Sequence, residues 1–103
     1  MTVWNIRDPK CPPDAVDVSR RGIGNGALGN PYTHSKGPTL AEYQVATREE
    51  AVAKHDVWFR AKMQSDPVFA ALVESCRGKD MKCFCAPLSC HAHNYERYFE
   101  ETS

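Results

Sequence analysis

Residues 83–91, Cys-Phe-Cys-Ala-Pro-Leu-Ser-Cys-His, gather three of the chain's five cysteines and a histidine around a proline that no regular element tolerates in its interior. Few local folds suit that pattern. Residues 80–85 read as a strand, in which alternate side chains leave on one face, so Cys83 and Cys85 point together while Phe84 packs on the other side. Pro87 ends the strand, Ser89 is placed to cap a helix, and that helix is expected over residues 90–99. Cys90 and His91 then fall in its first turn. There unbonded amides and the helix dipole favour negative charge, so a thiol is expected to ionise more easily and an anion could bind.

Other elements announce themselves through caps and periodicity. Residues 2–7 form a short apolar strand, followed by a loop marked by Pro9, Pro12 and Pro13, and residues 16–18 alternate like a second short strand. Residues 19–38 hold five of the six glycines plus Pro31 and Pro38, with little apolar content, the mark of a long irregular segment that is either functional or disordered. Thr47-Arg48-Glu49-Glu50 is a capping box, and the helix it opens should reach about Met63. Val52, His55, Phe59 and Met63 share one stripe of that helix, flanked by Ala51 and Trp58, as in a helix laid on a sheet. On that stripe His55 reads as a core histidine with its bonds satisfied. Asp66-Pro67 begins another helix with proline at its favoured first position, and Gly78 stops it. Tyr95, Tyr98 and Phe99 fit the inner face of the last helix.

This order predicts an α/β fold: a small single domain over residues 1–103, with a mixed or mainly parallel sheet flanked by helices. The strand-turn-helix at its C-terminal end is Rossmann-like. At 11.6 kDa it has one modest core, and a homodimer or protein partner could supply missing walls of a site. Thirteen basic and thirteen acidic side chains cancel, so the charge footprint of a nucleic-acid binder is missing and no nucleic acid is expected as partner. No apolar run approaches a membrane span and the N-terminus lacks signal-peptide order, so the expected location is cytoplasmic, with no membrane partner. An odd number of cysteines without an export signal points to reduced thiols or metal ligands rather than disulfides.

Three elements together carry a family resemblance: Arg20 and Arg21 before Gly29-Asn30-Pro31-Tyr32, a central helix with Trp58 and Phe59 at its middle, and the Cys-aromatic-Cys-Ala-Pro-x-x-Cys-His signature. In these the chain resembles the family catalogued as domain of unknown function 4326, found in bacteria and their phages. The resemblance covers most of the chain and implies a fold and a site region without an activity. Family members often continue after the histidine with Gly and Asp, where this chain has Ala92, His93 and Asn94. A role carried by that acidic residue does not transfer.

Three sites compete. Arg20, Arg21, Gly29, Asn30, Pro31 and Tyr32 with Cys85 would line a pocket for a small anionic or nucleotide-like ligand, if the glycine segment packs beside the turn after Cys85. Arg20 and Arg21 would be charge partners, and Asn30 and the amides near Cys90 would orient the ligand. The same glycine segment could instead be a tight turn chosen for backbone reasons. Cys83, Cys85, Cys90 and His91 have the residue types of a structural zinc site, although Cys-x-Cys is not the usual knuckle spacing and adjacent helical positions diverge by roughly 100°. Cys90 with His91 could form a catalytic nucleophile and its base, and Cys85 with His93 is a second such pair. Cys83 and Cys85 could equally be small buried hydrophobes. A phage or bacterial interaction protein without catalysis is the remaining class.

Overall fold

The computed structural model describes residues 2–34, 43–84 and 90–102. Cys85, Pro87 and Ser89 lie outside them, as does Pro38, so the turn expected after the cysteine strand and its serine cap are not described.

A sheet of three parallel strands organises the fold. β1 (Val3–Asn5) and β2 (Val16–Asp17) flank β5 (Met81–Cys83), giving the order β1-β5-β2. Val3 and Val16 both register on Met81, and Asn5 registers on Cys83. The bonds Ile6 N–H to Cys83 O and Val18 N–H to Lys82 O, at 2.9 and 3.1 Å, carry the ladders one step beyond the strands. Centrality explains the composition of β5: Met81 and Cys83 are fully buried, as the middle of a parallel sheet covered by helices requires. Phe84, expected to pack opposite the cysteines, is instead 51 % exposed, because the strand ends at Cys83.

Residues 19–34 are less irregular than expected. They hold the one-turn helix α1 (Ile23–Gly26) and the strand β3 (Tyr32–Thr33), which pairs in parallel with β4 (Tyr43–Gln44). Tyr32 and Tyr43 face each other in that pair, with stacked rings 5.1 Å apart.

The three longer helices begin and pack as their sequences dictate. α2 (Arg48–Ser65) starts at the capping box, where Thr47 Oγ1 accepts from the Glu50 amide at 3.1 Å and the Glu50 carboxylate reaches back to the Ala46 amide. It buries His55 and Phe59 of the expected stripe together with the flanking Ala51, while Val52 and Met63 are half-buried. α3 (Pro67–Glu74) has Pro67 in its first turn, and Asp66 accepts from the amides of Val68 and Phe69. Gly78 then turns the chain with φ +79°. α4 (His91–Glu101) is capped by Cys90, whose backbone is extended at φ −146° and ψ 151°. The expected helix therefore starts one residue later than predicted, with Cys90 outside its first turn. Phe59 meets Tyr95 at 4.7 Å between ring centres, and Trp58 meets Phe69 at 5.6 Å, so α2 joins α4 and α3 through aromatic edges. Arg60 adds a bond to Glu101 at 2.9 Å. The core runs from Val18 and Leu28 through Phe59, Phe69 and Val73 to Tyr95 and Phe99, and includes Cys76, Cys83 and Cys90.

Candidate functional site

The carboxyl ends of the parallel strands converge with the N-terminus of α4. In open parallel sheets this is where ligands bind, because chains leaving adjacent strands open a crevice there. β5 delivers Cys83 to this end, β2 delivers Val18, Ser19 and Arg20, and α4 begins at His91.

His91 ties these parts together. It is buried, and its Nε2 lies 2.6 Å from the Val18 carbonyl oxygen. A carbonyl only accepts, so Nε2 carries the proton and Nδ1 presents a lone pair. That lone pair faces Cys90 Sγ at 3.5 Å. Burial pushes the imidazole down to about 4, the Val18 bond opposes this, and the charges of Arg20 and His93 press it lower still. At neutral pH His91 is therefore an uncharged hydrogen-bond acceptor. A thiolate–imidazolium pair needs the opposite, a histidine that keeps a proton in the presence of the thiolate. The Cys90-His91 contact is a hydrogen-bonding arrangement, and Cys90 Sγ also lies 2.7 Å from Cys83 Sγ. Both cysteines are 1 % exposed.

The arginine loop folds back on itself. Arg20 donates from Nε to the Asn30 carbonyl at 2.6 Å and from Nη2 to the Tyr32 carbonyl at 3.0 Å, a fork that closes the loop. Asn30 is buried; its Oδ1 accepts from the Tyr32 amide at 2.9 Å and its Nδ2 donates to the Ala51 carbonyl at 3.0 Å, pinning the turn to α2. Gly29 passes so close to Arg20 that a Cβ would sit 2.6 Å from its Cα. Gly29 and Asn30 thus have a part in making the turn. Tyr32 turns toward α2, where it borders an open groove of about 820 Å³ with Lys54, Val57, Trp58 and Lys62. Arg21 is exposed, with its amide bonded to Ser19 Oγ at 3.2 Å.

The structure therefore brings Arg20, Cys83, Cys90 and His91 to one end of the sheet, and carries the Tyr32 ring away from it. Cys85 lies outside the described residues. Among the described residues no group of three histidine, cysteine or acidic side chains is arranged to hold a metal. Cys83 Sγ and Cys90 Sγ stand 2.7 Å apart, and Cys85, the third thiol of the expected zinc set, lies outside the described residues. Asn94 was given no structural role from the sequence. It is buried, donating to the Val52 carbonyl at 2.8 Å and to His55 Nδ1 at 3.0 Å. Its signal was a polar residue one helical turn after His91, on the same face of α4. No described helix is long and apolar enough to cross a membrane.

The family model described as Domain of unknown function (DUF4326) matches residues 4–101, and the chain belongs to that family. No curated protein and no solved structure matches it.

Proposed function

We propose that the protein binds a small anionic ligand, nucleotide-like in character, where the arginine loop meets the first turn of α4. The observation that carries this reading is the His91–Val18 bond at 2.6 Å, which closes the segment after β2 onto the helix start. It brings together three features that favour an anion at the carboxyl end of a parallel sheet. They are the amides opening α4, the Arg20 guanidinium whose charge is felt at His91, and the exposed Arg21 beside it. Arg20 serves the loop as well as the ligand, since its fork already holds two carbonyls. Arg21 is the cleaner contact to test.

The test is thermal unfolding followed with inorganic phosphate and a panel of nucleoside mono-, di- and triphosphates, then titration calorimetry with the best of them. A ligand bound only by the native state raises Tm in proportion to its saturation. Arg21→Ala should weaken binding about tenfold, the loss of one charge-assisted contact, while leaving the unliganded Tm unchanged. Unaltered affinity in this variant removes the arginine role. A panel that never shifts Tm removes the anion reading.

A second reading has an observation of its own. Val57 and Val68 are 71 % and 79 % exposed, and Val57 lies in the groove along α2 between Lys54 and Lys62. An exposed apolar side chain in an open groove suits a protein partner. Copurification with one defined partner, lost in Val57→Glu, would favour it.

A further inference from the structure

We infer that Cys83 and Cys90 form a redox-active dithiol that closes to an intramolecular disulfide under hydrogen peroxide. The two-electron chemistry is independent of ligand binding at the same end of the sheet. The sulfurs stand 2.7 Å apart. That is between the ~2.05 Å of a disulfide bond and the roughly 3.5–4.0 Å of an ordinary non-bonded contact. Closing the bond therefore requires little movement.

Both sulfurs are held from two sides. Cys83 is the last residue of the central strand, registered on Asn5, and its carbonyl accepts from the Ile6 amide. Cys90 is the extended cap of α4, and the helix is anchored by His91 on the Val18 carbonyl. The two sulfurs meet because β5 and α4 are packed against each other at this end. Seven positions separate them in sequence.

Burial of both sulfurs selects a small uncharged oxidant over a folded protein disulfide. As Cys90 Sγ attacks one peroxide oxygen, the O–O bond breaks and the thiol proton leaves with the departing hydroxide as water. Cys90 is left as a sulfenic acid. Cys83 Sγ then attacks Cys90 Sγ, the S–O bond breaks, and the hydroxide leaves with the Cys83 proton as a second water. Two thiols and one peroxide become one disulfide and two waters. Cys76, also buried, bonds the Leu72 carbonyl at 3.6 Å and has its thiol pushed up by burial, so it is an internal control that stays reduced.

The experiment uses the full chain with Cys11→Ser, which removes a half-exposed thiol. The protein is reduced with a phosphine, desalted, treated with hydrogen peroxide, unfolded and alkylated. Intact mass should show the loss of two hydrogens and two fewer alkyl groups than the untreated control. Trypsin releases residues 83–97 as one peptide, and fragmentation should find Cys85 alkylated with Cys83 and Cys90 joined. Formation of the same link in Cys85→Ser supports the assignment, and its loss in both Cys83→Ser and Cys90→Ser completes it. A link that includes Cys85, a sulfinic acid accumulating on one cysteine, or full alkylation after peroxide would each overturn it. So would a native mass of the reduced protein carrying one zinc, since the thiols would then be ligands.

Discussion

His55 Nε2 and Tyr95 Oη lie 3.1 Å apart across the packing of α2 on α4, and the direction of their hydrogen bond is set by their neighbours. The Asn94 amide can only donate to His55 Nδ1, so Nε2 carries the histidine proton and donates to Tyr95. Tyr95 in turn donates its hydroxyl hydrogen bond to the Leu28 carbonyl at 3.0 Å. Every polar atom of the fully buried imidazole is thus bonded while it stays neutral, in keeping with burial and the nearby His91 holding it well below its ordinary range. The sequence reading of His55 as a satisfied core histidine holds.

Breaking this chain at its middle should be costly without leaving a large cavity. Tyr95→Phe leaves the His55 N–H and the Leu28 carbonyl without their partner, and a buried unsatisfied group costs about 1–3 kcal/mol. Urea unfolding should show the midpoint falling with the slope unchanged, since the surface exposed on unfolding stays the same. A loss below half a kcal/mol would mean water enters to replace the hydroxyl.

Stability should fall with acid in a window set by the buried histidines. Both are depressed below 6.5 in the folded chain, His91 to about 4. Below pH 6.5 the unfolded chain takes up protons that the native state refuses. The contribution is therefore complete above 6.5 and is lost as pH falls toward 4, with His55 acting in the same sense. For His91 alone the loss is about 3 kcal/mol. Urea midpoints measured from pH 7.5 to 4 should decline across this range, and His91→Asn should flatten the slope.

Two glycines should respond differently to alanine. At Gly29 a Cβ would stand 2.6 Å from Arg20 Cα and 2.8 Å from its nitrogen, so the backbone must shift, at about 1–3 kcal/mol. At Gly78 nothing lies within 4 Å, and only its φ of +79° resists a side chain, at about 1 kcal/mol. Thermal unfolding of the two variants should rank Gly29→Ala as the more damaging. Equal losses would show that the loop can yield.

Arg20→Lys should loosen the loop even though charge is kept. One ammonium cannot reproduce the fork on the carbonyls of Asn30 and Tyr32, and the change should cost about 1–3 kcal/mol. Hydrogen exchange should quicken at the amides of residues 26–32, while the middle of α2 stays protected. Unchanged exchange in the loop would show that Asn30 holds it alone.

Much of this architecture was legible because its causes are local. Thr47 and Glu50, or Asp66 and Pro67, sit within one turn of the helix they start, so spacing alone locates those starts. The stripe through His55 and Phe59 follows from helical periodicity. The chain's strands and helices, read in order, imply parallel pairing, which the sheet bears out. By contrast, β3 and β4 have two residues each, and neither carries an alternation to read. The middle place of β5 depends on which strands accept its edges, a choice made between residues 65 to 78 positions apart. The use of Arg20 as a clamp, the partnership of Asn94 with His55 and the meeting of Cys83 with Cys90 are likewise long-range or loop-closing contacts. Local pattern therefore determined which elements form and where most of them begin. Only the tertiary structure decided which polar side chains and thiols face one another, because those partners become neighbours only when the helices close over the sheet.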